Sequence, residues 1–195
     1  VASDVIRCFV AIELPKGIKE SITSVQDILK QNSPPVVRWV NPEGIHLTLK
    51  FLGNVSSHKI SDIGEALTSL AAHHAPFHLL LGKVGAFPGV SRPRVLWIGV
   101  DGDVAPLQAL QEAVDSSLHR LGFAKEGRQF TAHLTLGRLK EGTPPGGMKA
   151  LSSAISSSQW NGGQAFVARG LSLMQSDLTP KGAVYTRIIY LPFSS

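Results

Sequence analysis

The chain has 195 residues, 43% of them hydrophobic and 17% charged, enough for one domain or two intimately packed lobes around a real core. No apolar run approaches the ~18 residues of a membrane span, and Val1-Ala2-Ser3-Asp4 lacks the basic and apolar regions of a signal peptide, which argues against membrane and secreted classes. The formal charge of +5, with seven histidines counted as neutral, suits a polyanionic partner, while Cys8 as the lone cysteine excludes an internal disulfide or a cysteine zinc site and fits a reducing cytoplasm.

Residues 7–14 are apolar on both faces and predict a well-buried strand, in which Cys8 reads as a small buried hydrophobe. Pro15 opens a helix where a missing N–H does no harm, with Ile18, Ile22, Val25 and Leu29 on one face; Ser33-Pro34-Pro35 stops it. A short strand over 36–40 ends at the turn Asn41-Pro42-Glu43-Gly44. Then Ile45-His46-Leu47-Thr48-Leu49-Lys50-Phe51-Leu52-Gly53 alternates with a period of two. Ile45, Leu47, Leu49 and Phe51 predict a core face; His46, Thr48 and Lys50 predict the opposite face. Ser56 or Ser57 is expected to cap the next helix, with Ile60, Ile63, Leu67 and Leu70 inward and Pro76 as its limit. Strands follow over 77–84 and 94–100, joined by a Gly- and Pro-rich loop that carries Arg92.

Asp103 is expected to cap a helix with Val104, Leu107, Leu110, Val114, Leu118 and Leu121 on one side, ended by Gly122. The loop 125–128 leads into Ala132-His133-Leu134-Thr135-Leu136-Gly137, a second His-x-Thr strand backed by leucines. A loop over 142–147 precedes a weaker helix near 149–157. Strands over 165–174 and 183–191 close the chain around a hairpin loop at 177–182. Each half thus has a His-x-Thr strand, a helix and two strands, and an aromatic on each last strand, Trp97 or Tyr185, trails its histidine by about fifty residues. We read this as an internal duplication, with like units over about 45–100 and 132–191 in a single domain spanning 1–195. A pseudo-twofold axis between them would set His46 opposite His133.

A strand rises ~3.3 Å per residue, so each Thr hydroxyl is expected roughly 6–7 Å from its own His along one face. Core packing explains the leucines but never requires the His and Thr. Other histidines carry less. His74 and His78 have metal-pair spacing, but Pro76 interrupts a shared helix. No carboxylate cluster accompanies either motif, and no P-loop pattern is present. Among the basic residues, Arg138 and Lys140 follow the second motif, Arg92 and Arg94 lie in the first lobe, and Lys181 lies in the hairpin loop. A regular strand from His133 would turn Arg138 to the leucine face. A bulge or strand end at Gly137 would turn it back to the His side.

With these motifs in view, the sequence resembles the 2H phosphoesterases, and within them the bacterial and archaeal RNA 2′,3′-cyclic phosphodiesterases, also called 2′-5′ RNA ligases. The resemblance spans nearly the whole chain and rests on Arg7-Cys8-Phe9-Val10-Ala11-Ile12-Glu13-Leu14-Pro15, Arg38-Trp39-Val40, the two His-x-Thr strands, Leu96-Trp97-Ile98-Gly99, and the tail from Ser176 to Tyr185. One departure is Ala132, where the family usually has proline before the second His. The resemblance implies an α+β, bilobal, pseudo-twofold 2H phosphoesterase fold, with two antiparallel sheets facing a central groove and helices outside. It implies hydrolysis of RNA 2′,3′-cyclic phosphate ends, or related cyclic nucleotides, to 2′-phosphomonoesters. His46 would be proton donor and His133 proton acceptor, a choice that the nearly symmetric residue pattern leaves open. Thr48, Thr135 and Arg138 would bind the substrate phosphate. No metal or other cofactor and no membrane partner are expected, and a monomer is. Joining of RNA ends by the reverse reaction ranks second. The alternatives are a non-catalytic nucleotide or RNA-end binding module, disfavoured because both His and both Thr are present, and a scaffold whose groove serves a protein partner.

Overall fold

A computed structural model describes residues 4–180 and 182–194; the first three residues, Lys181 and Ser195 lie outside them. Strand β1 (Val5–Glu13) is buried from Cys8 to Ile12, as befits an interior strand of an antiparallel sheet. Its neighbours are β3 (His46–Ser56) on one side and β8 (Gly170–Thr179) on the other, with β9 (Gly182–Pro192) beyond β8. The second antiparallel sheet runs β2 (Val37–Trp39), β6 (His133–Leu139), β5 (Val95–Gly102), β4 (Phe77–Phe87), β7 (Ala165–Ala168). Four helices among the described residues complete an α+β architecture: α1 (Lys16–Gln31), α2 (Ile60–Ala71), α3 (Val104–Arg120) and α4 (Pro145–Ser156).

The two His-x-Thr strands lie in different sheets. The segment 45–100 gives its first strand, β3, to the four-stranded sheet and its last two, β4 and β5, to the five-stranded one. The segment 132–191 does the reverse, with β6 in the five-stranded sheet and β8 and β9 in the other. β3 and β6 then meet where the sheets approach.

The helices bury the stripes the sequence marks. Ile18, Ile22, Val25 and Leu29 of α1 and Leu107, Leu110, Val114 and Leu118 of α3 join one large apolar core with Val10, Ile12, Leu47, Leu134 and Leu136. A small second group, Phe9, Ala11 and Met174 with Tyr185 against it, lies on the other face of β1. Cys8 is 1% exposed, and burial pushes its thiol up to about 11. It should therefore resist alkylation in the folded protein at pH 8 and react fully in denaturant. Rapid labelling of native protein would contradict this placement.

Several boundaries differ from the sequence reading for local reasons. Pro15 is the N-cap of α1, one residue outside it. Neither Ser56 nor Ser57 caps α2 by its side chain: a 3-10 turn over Ser57–Lys59 intervenes, and the Ser57 hydroxyl binds Asp4. Asp103 stands at the N-cap of α3, but its carboxylate accepts the backbone N–H of His78 at 2.8 Å and so ties the helix start to β4. Helix α4 begins at Pro145, because Pro at the first position tolerates the missing N–H and Gly146-Gly147 hid the periodicity. β4 runs on through Phe87, where a loop was expected. Gly85 permits this, since a Cβ there would collide with the Trp97 ring. The strand expected over 165–174 is two strands that change sheets at Arg169. Its start in the new sheet, Gly170, is pressed against Leu191 and Tyr190, with no room for a side chain. No helix among the described residues is long and apolar enough to cross a membrane.

Candidate active site

Both His-x-Thr strands carry the same irregularity just after the threonine. In β3, Ala11 faces Thr48 and Val10 faces Lys50, so Leu49 is an extra residue. In β6, Trp97 faces Thr135 and Leu96 faces Gly137, so Leu136 is extra. A bulge of this kind shifts the inward–outward alternation by one. A buried glutamine reaches the carbonyl of each extra residue, and Leu136 O also accepts the Val40 N–H at 2.9 Å. Gln26 of α1 donates Nε2 to Leu136 O at 3.0 Å, and Gln111 of α3 donates Nε2 to Leu49 O at 3.5 Å.

The shift corrects two assignments on β3. Lys50, expected beside His46 and Thr48, turns inward opposite Val10 and is 5% exposed. Phe51, expected in the core, turns outward opposite Phe9 and is 66% exposed. Lys50 donates to the Asp115 carboxylate and to Ala124 O at 2.7 Å. Burial alone would raise the Asp115 carboxyl, but hydrogen bonds from Lys50 and the Glu126 N–H, with the charges of Lys50 and Lys125, hold it below the usual range. On β6 the shift buries Gly137 and exposes Arg138 on the side of His133 and Thr135. The irregularity sits at Leu136, one residue before the Gly137 that the sequence suggests, and the strand continues to Leu139. Phe51 and Arg138 therefore occupy matching positions, five residues after His46 and His133.

Each histidine is tethered alike. His46 Nδ1 lies 2.8 Å from Gly44 O, and His133 Nδ1 lies 2.7 Å from Thr131 O. A carbonyl only accepts, so Nδ1 carries the hydrogen and the neutral ring keeps its lone pair on Nε2. Neither Nε2, nor the hydroxyls of Thr48 and Thr135, binds a protein atom among the described residues. The rings are walled by aromatics. His46 stacks on Phe9 at 4.4 Å and meets the Tyr185 edge at 4.9 Å; His133 meets Phe87 edge-on at 5.0 Å.

Burial lowers His46 to about 4, opposed in part by its bond to Gly44 O and by Glu13, its cross-strand neighbour, while Lys19 adds to the lowering. Glu13 is itself held by the Ser172 hydroxyl and by Arg187 at 3.3 Å. Because the folded pKa of His46 lies below its unfolded value of 6.5, the unfolded chain binds more protons between these limits. Its contribution to stability is whole above pH 6.5 and is lost as pH falls toward 4. Allowing for partial exposure, that loss is about 2 kcal/mol. Denaturant melts at pH 7 and pH 4.5 should show a smaller acid loss in His46→Phe than in wild type; equal losses would place the acid sensitivity elsewhere.

Two open cavities lie near the histidine pair, and neither is lined by His46 or His133. One, of about 450 Å³, is lined by Lys83, Trp97, Asp101, Phe130 and Thr131; the other, of about 420 Å³, by Glu13, Arg169, Arg187 and Tyr190. The remaining histidines do not join the pair: His74 bonds Leu70 O, and His78 lies near Asp103. Among the described residues no three His, Cys, Asp or Glu side chains gather as a metal site. Glu13, Phe9, Phe51, Gln26 and Gln111 were not singled out by the sequence. Two of them carry a signal there: a glutamine set within an otherwise apolar helical stripe.

The profile of the LigT-like phosphoesterases matches the chain twice, over residues 12–97 and 98–185. An Archaeoglobus fulgidus protein named RNA 2′,3′-cyclic phosphodiesterase is 39% identical over 92% of this chain and 96% of its own. A protein of the same name from Methanothermobacter thermautotrophicus is 32% identical over 93% of this chain and 95% of its own. Among solved structures, TT0787 of Thermus thermophilus superposes with a TM-score of 0.79 at 25% identity, covering 96% of this chain and 98% of that one.

Proposed function

Because the chain belongs to the LigT-like phosphoesterase family, we propose that it hydrolyses RNA 2′,3′-cyclic phosphate ends to 2′-phosphomonoesters with His46 and His133 as its acid–base pair. The observation that carries this reading is the doubled His-x-Thr device on two strands that meet, each with its Nδ1 tethered and its Nε2 open. His133 Nε2 takes the proton of the attacking water. The water oxygen bonds to phosphorus, the bond to the ribose 3′-oxygen breaks, and His46 Nε2–H protonates that oxygen. Burial keeps His46 neutral in the free groove at neutral pH, so it gains its proton together with the substrate, whose phosphate charge favours the imidazolium.

Thr48 and Thr135 donate to the non-bridging oxygens, where charge grows in the transition state. Arg138 supplies a charge-assisted contact to substrate phosphate. Phe51, at the matching position on β3, offers an exposed ring on which a base can stack. The twofold profile match and the exchange of strands between sheets support reading the chain as one bilobal domain of two like units, about 45–100 and 132–191.

The test is to incubate the protein, in excess chelator, with a short RNA bearing a 2′,3′-cyclic phosphate and to identify the product. A 2′-phosphomonoester is expected; a 3′-phosphomonoester, or no turnover until a divalent ion is added, would overturn the scheme. Arg138→Ala should lower kcat/KM about ten- to a hundredfold, from the loss of a contact of about 1.5–3 kcal/mol. Arg138→Lys should recover only part, since it keeps the charge without the paired donors. Unaltered kinetics in Arg138→Ala would remove this residue from the site.

A further inference from the structure

Strand β2 pairs with β6 so that Arg38 stands directly opposite Arg138. Directly opposed residues of an antiparallel pair project from the same face. Val37 and Trp39, on either side of Arg38, pack with the core, which leaves Arg38 and Arg138 both exposed on the face that carries His133 and Thr135. Neither guanidinium pairs with a carboxylate among the described residues. Like charges set directly across a ladder repel one another. A bound anion turns that repulsion into attraction, because two planar forks then offer it donors from both sides.

We infer that Arg38 and Arg138 form a two-guanidinium site for a second phosphate of the substrate, the internucleotide phosphate next to the cyclic end. This rests on the groove being the RNA-end site proposed above. Arg138 lies three residues beyond Thr135, roughly 7–10 Å along the strand once the bulge is allowed for. The pair is therefore set back from the phosphorus held between the histidines and the threonines, with Arg138 able to lean toward either group. The substrate class that uses both positions is an oligonucleotide with a cyclic end, in preference to a cyclic mononucleotide. Among the ladder partners of β6 in the described residues, Arg38 alone is charged; the other cross-strand neighbour of Arg138 is Val95.

The test compares a uridine 2′,3′-cyclic mononucleotide with a diuridine that ends in a 2′,3′-cyclic phosphate. In wild type, hydrolysis of the mononucleotide establishes the proposed activity independently of Arg38; if neither substrate is cleaved, the functional reading fails and the inference falls with it. With the activity present, Arg38→Ala should lower the preference in kcat/KM for the dinucleotide over the mononucleotide about tenfold, through KM rather than kcat. The slope of log(kcat/KM) against log salt for the dinucleotide should become shallower by about 0.7. Arg38→Lys should restore the salt slope and only part of the preference. A melt at low salt checks the fold: removing one of two opposed charges should leave Tm equal or higher. Equal losses on both substrates, or an unchanged preference and slope, would overturn the proposal, as would a marked fall in Tm with both activities lost together.

Discussion

His133→Ala is expected to lower kcat on a cyclic-ended RNA by about 10²–10⁴-fold, and His46→Ala by a similar factor, with little change in KM. In the proposed scheme each removal would delete one proton transfer and leave the threonine hydroxyls and Arg138 to bind phosphate. The fold should survive both, because the imidazoles sit on the groove side and each makes one protein hydrogen bond, to Gly44 O or Thr131 O. The variants should differ in their pH profiles. The limb that belongs to His46 starts from a free-protein pKa of about 4 and is displaced upward by bound phosphate. In wild type it should therefore appear at higher pH in kcat, which reports the complex, than in kcat/KM, which reports the free protein. Turnover within tenfold of wild type in either alanine variant would sink the two-histidine mechanism. Coincident limbs in kcat and kcat/KM would instead assign the perturbed group to a step other than proton donation.

The second large effect is on stability. Lys50→Ala should cost about 3 kcal/mol, because it leaves Asp115 Oδ1 with the Glu126 N–H as its one remaining donor among the described residues. The side chain of Lys50 is 4% exposed and that of Asp115 is 13% exposed, so solvent cannot replace the lost partner fully. The ammonium also holds Ala124 O, which anchors the segment between α3 and β6. Lys50→Met combined with Asp115→Asn should cost less than Lys50→Ala alone, since it leaves no buried charge. Urea titrations give both values. A loss below about 1 kcal/mol for Lys50→Ala would show that the pair is effectively solvated.

The His-x-Thr strands were legible because their alternation and their repetition are properties of single short segments. The same reasoning misplaced Lys50 and Phe51, since a period of two holds only while the ladder is regular. Nothing in Thr48-Leu49-Lys50 announces an extra residue there. On β6 the glycine and the displaced arginine did announce it, to within one residue. The side chains that bond the extra residues lie on other elements: Gln26 and Gln111 are 110 and 62 residues away in sequence from Leu136 and Leu49. The strands over 165–174 were merged because no composition shift marks a change of sheet; the only trace is Gly170, placed where Leu191 and Tyr190 leave no space. The aromatic walls of the two histidines come from β1, β4 and β9, which short-range patterns cannot bring together.

The exchange of strands between the two sheets has a consequence for biogenesis. A nascent chain that has emerged only as far as α3 holds β1 to β5, yet it has neither β8 to cover β1 nor β6 to join β2 to β5. Both incomplete sheets then present open hydrogen-bonding edges, which template pairing with other chains. The missing partners are long-range in sequence, so they dock late and slowly. Synthesis must therefore run past β8 before these edges close, and until then the first half stays open to mispairing.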